Sequence, residues 1–541
     1  MIIKGITLRE YSMKRIGNFV VRTIDYVFVA WLAIILLASV VCFSETISTG
    51  YIKYVLIAII LIGIMLFVMF GERIFNKLRS LLRKISSISV GKMALFLFLF
   101  VVISKVFFVF LFNNDADKTN DMRLYKSFAT QIANNGVITE NTVPASMYKY
   151  QVIYGLFLSP VVKIFGNDSR VLTSYLSILF AIAVVLLFDI IRAYTGKNKA
   201  FVGLLLFNIL PVGLFETQLL IHETPLLFFY ILSLWLLLKS VNSNYHIALR
   251  LVTLLLSAIL IAFGNKINQG GTVVIISYCI FVFALFCKDR ISAKRVVWFM
   301  TTICCYALCF VMISSICTSY VNSVVKPSET DRIKIERSTE NSLSLGWGLY
   351  LGTNTEHAGH WNKEDYDTYQ KYTEFDKQED ALDYQKEIIN ERVQVFVEKP
   401  WIIPGHLFSK IKGLWGGLFL PFAYEEGNSI NSFVLYGMHG LIYKAICLIA
   451  YLTFILLCTV ILFSHKRHKN CDINTFYSPI SQFKMMIIGL TSVLFLFEVM
   501  PKYVSHMQII MFAIGIFCVD GFMDNSKRFH DRLLRKKEIK T

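Results

Sequence analysis

The sequence predicts an all-α integral membrane protein of about twelve transmembrane helices, with outer juxtamembrane amphipathic helices and one large outer loop region. Of the 541 residues 55% are hydrophobic, 45 of them Phe, and only 17% are charged. With a mean hydropathy of +0.58, that apolar excess is more than a water-soluble fold can cover. Apolar runs of roughly 17 to 25 residues, the length that crosses about 30 Å of hydrocarbon, recur along the whole chain. Basic residues gather in short segments between those runs, as they do on the cytoplasmic side of membrane proteins.

The runs lie near residues 24–43, 51–70, 93–112, 169–191, 200–218, 219–238, 246–264, 271–287, 296–319, 435–463, 484–500 and 505–522. Lys4, Arg9, Lys14, Arg15 and Arg22 precede the first, and Arg73, Lys77, Arg79, Arg83, Lys84 and Lys92 follow the second. Lys288, Arg290, Lys294 and Arg295 separate the eighth from the ninth, and a basic tail runs from Lys527 to Lys540. These segments are expected in the cytoplasm, and twelve crossings return the chain to the side on which it started. The first run lacks a small-residue cleavage pattern and is expected to stay as a helix of a multi-pass protein of the cell membrane.

The net charge of +17 could suggest nucleic acid as a partner. Its spread over short inter-span loops, rather than one folded domain, excludes that reading and leaves membrane lipid as the partner of these charges. Ten of the 11 Cys lie in or beside the runs and Cys471 in a cytoplasmic loop, so no disulfide framework or CxxC metal site is legible.

Five regions follow. Residues 1–92 hold two spans and a basic loop, and 93–319 form a membrane core that includes an outer segment, 113–168. Residues 320–434 make the large extracytoplasmic region, 435–522 the C-terminal spans and 523–541 the basic tail. The two outer segments are too long to be connectors and mark the expected working face.

In the first outer segment, Asp115, Asp117 and Asp121 precede a stretch in which Leu124, Phe128 and Ile132 recur every four residues before Gly136. This reads as an amphipathic helix started by Asn120 or Asp121 and stopped by glycine. Tyr150 to Gly166 is apolar but short. If it crossed, Lys288 to Arg295 would be exported, so it is expected to lie along the outer membrane surface. The second outer segment carries a charged helical run from 376 to 398, then Pro400 to Phe422, where Trp401, Phe408, Leu414 and Trp415 mix with Lys410 and Lys412. The latter reads as an interfacial helix.

Charges near the outer boundary stand out because hydrocarbon disfavours them. Glu223, within Leu220-Ile221-His222-Glu223-Thr224-Pro225, sits where proline suggests a freshly started helix. Lys266 and Lys502 run against the positive-inside trend and suit a lipid phosphate or headgroup. His357 and His360 are spaced for one helix turn, but Gly359 argues for a loop and against a metal site.

Together these residues resemble the GT-C superfamily of membrane glycosyltransferases, near the protein O-mannosyltransferase, lipid A aminoarabinose transferase and core galacturonosyltransferase branches. The motif Asp121-Met122-Arg123-Leu124-Tyr125, with Ala129 and Gly136, is similar to that family's first outer loop. Tyr150 to Gly166 with Arg170 resembles its second surface helix, and Glu223 an acidic residue at the outer end of a later span. Lys410 and Trp415, then Glu498, Lys502 and Tyr503, resemble its interfacial and C-terminal motifs, Lys502 standing where the family often has arginine.

The resemblance covers residues 93 to 522 and implies transfer of a hexose or pentose from a polyprenyl-phosphate-sugar donor to an extracytoplasmic acceptor, with inversion. That acceptor would be a cell-wall polymer, glycolipid or protein. The resemblance implies Asp121, Glu223 and Asp117 as catalytic candidates, with the base open among Asp121, Asp117 and Asp115. Lys266, Lys502, Tyr503, Arg170, Tyr125 and Lys410 are the substrate-binding candidates. The sequence names no cofactor, and a divalent metal stays open. A lipid-linked polysaccharide polymerase or ligase shares the carrier lipid, and a transporter or flippase shares the span count. The latter predicts two similar halves, and the long outer segment near residue 320 has no counterpart in the first half.

Overall fold

The computed structural model describes residues 8–47, 52–112, 120–214, 216–242, 244–288, 292–332, 335, 346–375, 377–416, 439–464, 479–499 and 502–538. Apart from one isolated bridge, Ile138 to Val325, all regular structure among them is helical. The membrane part begins with α1 (Leu8–Ile47), α2 (Ile52–Lys84) and α3 (Val90–Phe112). Then come α4 (Asn120–Asn135), α5 (Thr142–Met147) and α6 (Lys149–Phe165). The core continues through α7 (Ser169–Thr195), α8 (Lys197–Ile209), α9 (Pro211–Leu214) and α10 (Glu223–Val241). It is completed by α11 (Ile247–Ile267), α12 (Gly271–Lys288) and α13 (Ala293–Val324).

Among the described residues, eight helices are long and apolar enough to cross a membrane: α1, α2, α3, α7, α10, α11, α13 and the last helix of the chain. Gly271–Cys287, Leu448–Ser464 and Pro479–Leu494 are apolar but shorter. The expected span 200–218 is corrected. Its helix ends at Ile209 and Leu210 turns extended (φ −71°, ψ 149°), because Pro211 crowds the helical conformation of the residue before it. The chain then runs through α9 and an irregular stretch before α10 opens at Glu223, with Pro225 in the first turn, where its missing N–H leaves no bond unmade.

Lipid tails are as apolar as leucine, so hydrogen bonds and close packing hold such helices together. Ser233 Oγ meets Tyr278 Oη at 2.8 Å, and Tyr278 also donates to the Tyr230 carbonyl at 2.8 Å, joining α10 to α12. Ser257 Oγ meets Tyr306 Oη at 2.7 Å, joining α11 to α13. Three further helices, α18 (His439–Ser464), α19 (Pro479–Leu494) and, after the short α20 (Lys502–Ser505), α21 (Gln508–Glu538), pack against this core. Gln482 of α19 donates to Ser277 of α12 at 2.6 Å, and Lys484 pairs with Asp25 of α1 at 2.6 Å.

The second long segment supplies α14 (Gly346–Gly352), α15 (Lys363–Gln370), α16 (Gln378–Glu398) and α17 (Ile403–Ile411), followed by a wide helical turn through residues 412–416. The charged helix expected over 376–398 is therefore α16. Tyr350, Tyr369, Tyr372, Ala381 and Ile389 form a small core of their own. Arg392 fastens it by bonding the Tyr350 carbonyl at 2.7 Å, the Asp365 carboxylate, and the Tyr350 ring face at 3.5 Å. That guanidinium, with Asn362 and Asn354, holds the Asp365 carboxyl below its ordinary range against the opposing effect of burial.

The two long segments meet at one end of the bundle. Ile138 N–H donates to Val324 at 2.8 Å and Lys326 N–H returns to Ile138 at 2.9 Å. Val499 N–H donates to Gly359 at 2.9 Å. The basic loops lie at the opposite end, where Lys197 donates to Ile88 O at 2.8 Å and Lys199 pairs with Asp520.

Candidate functional site

The helix expected from residue 120 to Gly136 forms as α4, and Gly136 ends it with φ 71°, a left-handed conformation that glycine adopts without strain. Its buried face is shifted from the expected Leu124, Phe128 and Ile132. Met122, Tyr125, Phe128 and Ala129 are buried, while Leu124 and Ile132 are half-covered. The stripe follows i, i+3, i+7 spacing and takes in tyrosine, so a pattern of aliphatic residues alone points one position aside. Against this face lies α6, the stretch expected to line the outer boundary. Gly155 allows the approach, since a Cβ there would come within 2.8 Å of the Phe128 side chain.

This packing turns the Tyr125 phenol toward the start of α10. Tyr125 Oη lies 3.0 Å from His222 Nδ1, and His222 Nε2 lies 3.5 Å from Glu223 Oε1. Tyr125 is 1% and Glu223 0% exposed, so both are held in a dry setting. Burial, together with Tyr150, Asp121 and Glu223, holds the Tyr125 phenol well above its ordinary range. It therefore stays a proton donor at neutral pH. If Tyr125 donates to Nδ1, a neutral His222 carries its proton on Nε2, facing the carboxylate; if Nδ1 carries the proton, it donates to the phenol oxygen.

Tyr154 donates to the Ile221 carbonyl at 3.1 Å and stands edge-on to Tyr125, ring centroids 5.0 Å apart. Tyr150 lies 5.6 Å from the His222 ring. From the other side Tyr503 donates to Glu498 Oε2 at 2.7 Å and lies within electrostatic range of Tyr150 and Glu223. Asp121, in the first turn of α4, is half-buried and within range of Tyr125. Tyr125, Tyr150 and Glu223 thus meet at His222, with Asp121 in range of Tyr125, Tyr503 in range of Tyr150 and Glu223, and Glu498 held by Tyr503.

Against known proteins, residues 152–315 match the family model described as dolichyl-phosphate-mannose-protein mannosyltransferase. The GT-C resemblance is borne out. The matched segment runs from α6 into α13 and contains His222 and Glu223, while Asp121 and Tyr125 precede it. No curated protein matches the chain. Among solved structures, the chain is similar to the crystal structure of ArnT from Cupriavidus metallidurans bound to undecaprenyl phosphate, at 10% identity over 81% of this chain and 77% of that one, with a TM-score of 0.27. So loose a likeness carries no argument about the site.

Other residues of the expected GT-C site stand apart from this group. Arg170 is engaged by Asp168, with Nη2 to Oδ2 at 2.6 Å, and lies over Phe110; that pairing holds the Asp168 carboxyl below its usual range. Lys266 rests against α13, 5.4 Å from the Phe310 ring centre. Lys410 is fully buried and donates to the carbonyls of Gly352 at 2.8 Å, Phe495 at 2.5 Å and Phe497 at 2.9 Å. Burial pushes its ammonium down to about 7, while three carbonyl acceptors favour the charged form, which alone donates three bonds. Lys410 ties α14 to the turn after α19, and Lys410→Met should lower stability by about 3 kcal/mol or more by orphaning these carbonyls. Thermal unfolding in detergent checks this, and an unchanged midpoint would free Lys410 for another role.

Asp115, Asp117 and the Lys502 side chain lie outside the described residues. Among those described, no three His, Cys, Asp or Glu side chains converge as a metal site. His222 is the residue the sequence reading passed over. Its position directly before Glu223 was the available signal. Lys105 and Glu216 were also missed: both are buried beneath the site, Glu216 within electrostatic range of Lys105 and Glu223.

Proposed function

We propose that this chain is a membrane glycosyltransferase that moves a hexose or pentose from a polyprenyl-phosphate carrier to an acceptor hydroxyl on the extracytoplasmic side. The observation that carries this reading is the meeting of Asp121, from the first long segment, with the Tyr125–His222–Glu223 group at the start of a membrane helix. The matched family is named for a sugar on a dolichyl phosphate, itself a polyprenyl phosphate, and a lipid-held substrate suits a site at the membrane boundary.

In this mechanism the acceptor oxygen attacks the anomeric carbon as the bond from that carbon to the phosphate oxygen breaks. The electron pair leaves with polyprenyl phosphate, and the acceptor's proton passes to the carboxylate of Asp121. One displacement inverts the anomeric centre. Tyr125 and His222 orient Glu223 toward the acceptor, and Lys502 stabilises the departing phosphate as a point charge, with Tyr503 and Glu498 fixing the turn beside it. Lys266 holds a lipid headgroup at the same boundary. The basic loops and both termini are cytoplasmic.

Purified protein in nanodiscs, given labelled polyprenyl-phosphate sugar and a pool of wall polymer, glycolipid and protein acceptors, should transfer label to one class. In sealed proteoliposomes, movement of label across the bilayer without transfer would instead indicate a flippase. Joining of lipid-linked oligosaccharides would indicate a polymerase or ligase.

A further inference from the structure

A run of aromatic rings leads from the buried group to the surface of the second long segment. Tyr150 lies 5.6 Å from His222, and Tyr148 lies 6.2 Å from Tyr150. Tyr148 is within electrostatic range of Tyr366 and Tyr372 on one side and of Asp121 and Glu498 on the other. Tyr366 in turn lies 6.4 Å from Trp361 and 5.9 Å, edge-on, from Trp347. The outer members are exposed, Trp361 by 52%, Tyr366 by 41% and Tyr148 by 37%. Exposed rings that adjoin one another beside carboxylates, unlike rings exposed singly, form the kind of patch that a ligand covers.

We infer that Trp361, Tyr366 and Tyr148 form the binding subsite for a carbohydrate acceptor, which presents a hydroxyl to Asp121. The inference rests on the transferase reading and narrows its acceptor class to a glycan. The C–H faces of a pyranose carry partial positive charge and lie well on the negative faces of aromatic rings. The equatorial hydroxyls then point sideways, where Asp121, Glu498 and the phenols accept or donate hydrogen bonds and fix orientation. A polyprenyl chain would leave those polar groups unmatched, and an extended peptide would find no paired strand edge here.

The full chain in nanodiscs, laid on an array of cell-surface glycans beside Ser- and Thr-containing peptides, tests this without needing turnover. The wild type should retain a subset of glycans and no peptides. Trp361→Ala and Tyr366→Ala should each weaken that binding about tenfold, while Trp361→Phe, which keeps a ring, should stay within about threefold of the wild type. Retention of peptides instead, no glycan bound, or equal loss in the Phe and Ala variants would overturn it. So would quenching of Trp361 by brominated lipid, which would make it a membrane anchor. Glycan binding with the expected variant pattern but no sugar transfer would leave the subsite standing and count against the transferase reading.

Discussion

Asp121→Asn is expected to lower sugar transfer by about 10³-fold, within the range that loss of a general base produces. Asparagine keeps the size and hydrogen-bonding reach of the side chain and remains acceptable in the first turn of α4, so unfolding temperature and insertion should be unchanged. The loss should fall on kcat with KM for donor and acceptor little altered, since the carboxylate acts on a proton that moves only in the transition state. A variant with full activity would remove Asp121 from the mechanism, and Asp115→Asn and Asp117→Asn would then decide between the remaining acids. His222→Gln should give a milder loss, about tenfold, because His222 orients Glu223 and does not itself take the proton.

The sequence made legible what hydropathy and charge can carry. Long apolar helices such as α7 and α13 were readable because each crosses the bilayer unaided, and α4 and α6 because Gly136 and Gly166 end them. It failed where local and tertiary demands differ. The run from 200 to 215 is apolar but for Asn208, and Pro211 with the polar Glu216-Thr217-Gln218 marks where the chain leaves the helix. Lys410 resembled a substrate-binding residue because a lysine among aromatics looks the same whether its ammonium meets a ligand or three carbonyls. Asp121 and Glu223 could be placed on one boundary by counting crossings, but the contact between α4 and the start of α10 depends on Gly155 and on which face of α4 is buried. Neither follows from spacing alone. His222 has a signal only in its place directly before Glu223, since a lone histidine has no spacing pattern of its own.

Lys105→Met should destabilise the protein by about 3–5 kcal/mol, the scale for stripping one partner from a buried charge arrangement. Apart from Lys92 in its first turn, Lys105 is the one charge of the apolar α3, which is why mean hydropathy passes over it. Its ammonium is 0% exposed, donates to the Gly213 carbonyl and lies 4.1 Å from the Phe180 ring centre. Gln218 donates back to the Lys105 carbonyl at 3.4 Å. These contacts hold α9 and residues 216–222, which deliver His222 and Glu223 to the site. With methionine in place of Lys105, Glu216, 1% exposed, would face Glu223 without a nearby cation, two carboxylates in a setting that solvates neither. A second substitution, Glu216→Gln, removes that conflict. The double variant should therefore regain most of the lost unfolding temperature in detergent, although it carries more changes than the single one. Because Gly213 O would remain without its donor, transfer by the double variant should stay below the wild type even when its stability is restored. Equal destabilisation in the single and double variants would show that Lys105 acts through packing alone, and a stable, fully active Lys105→Met would remove the charge from any part in shaping the site.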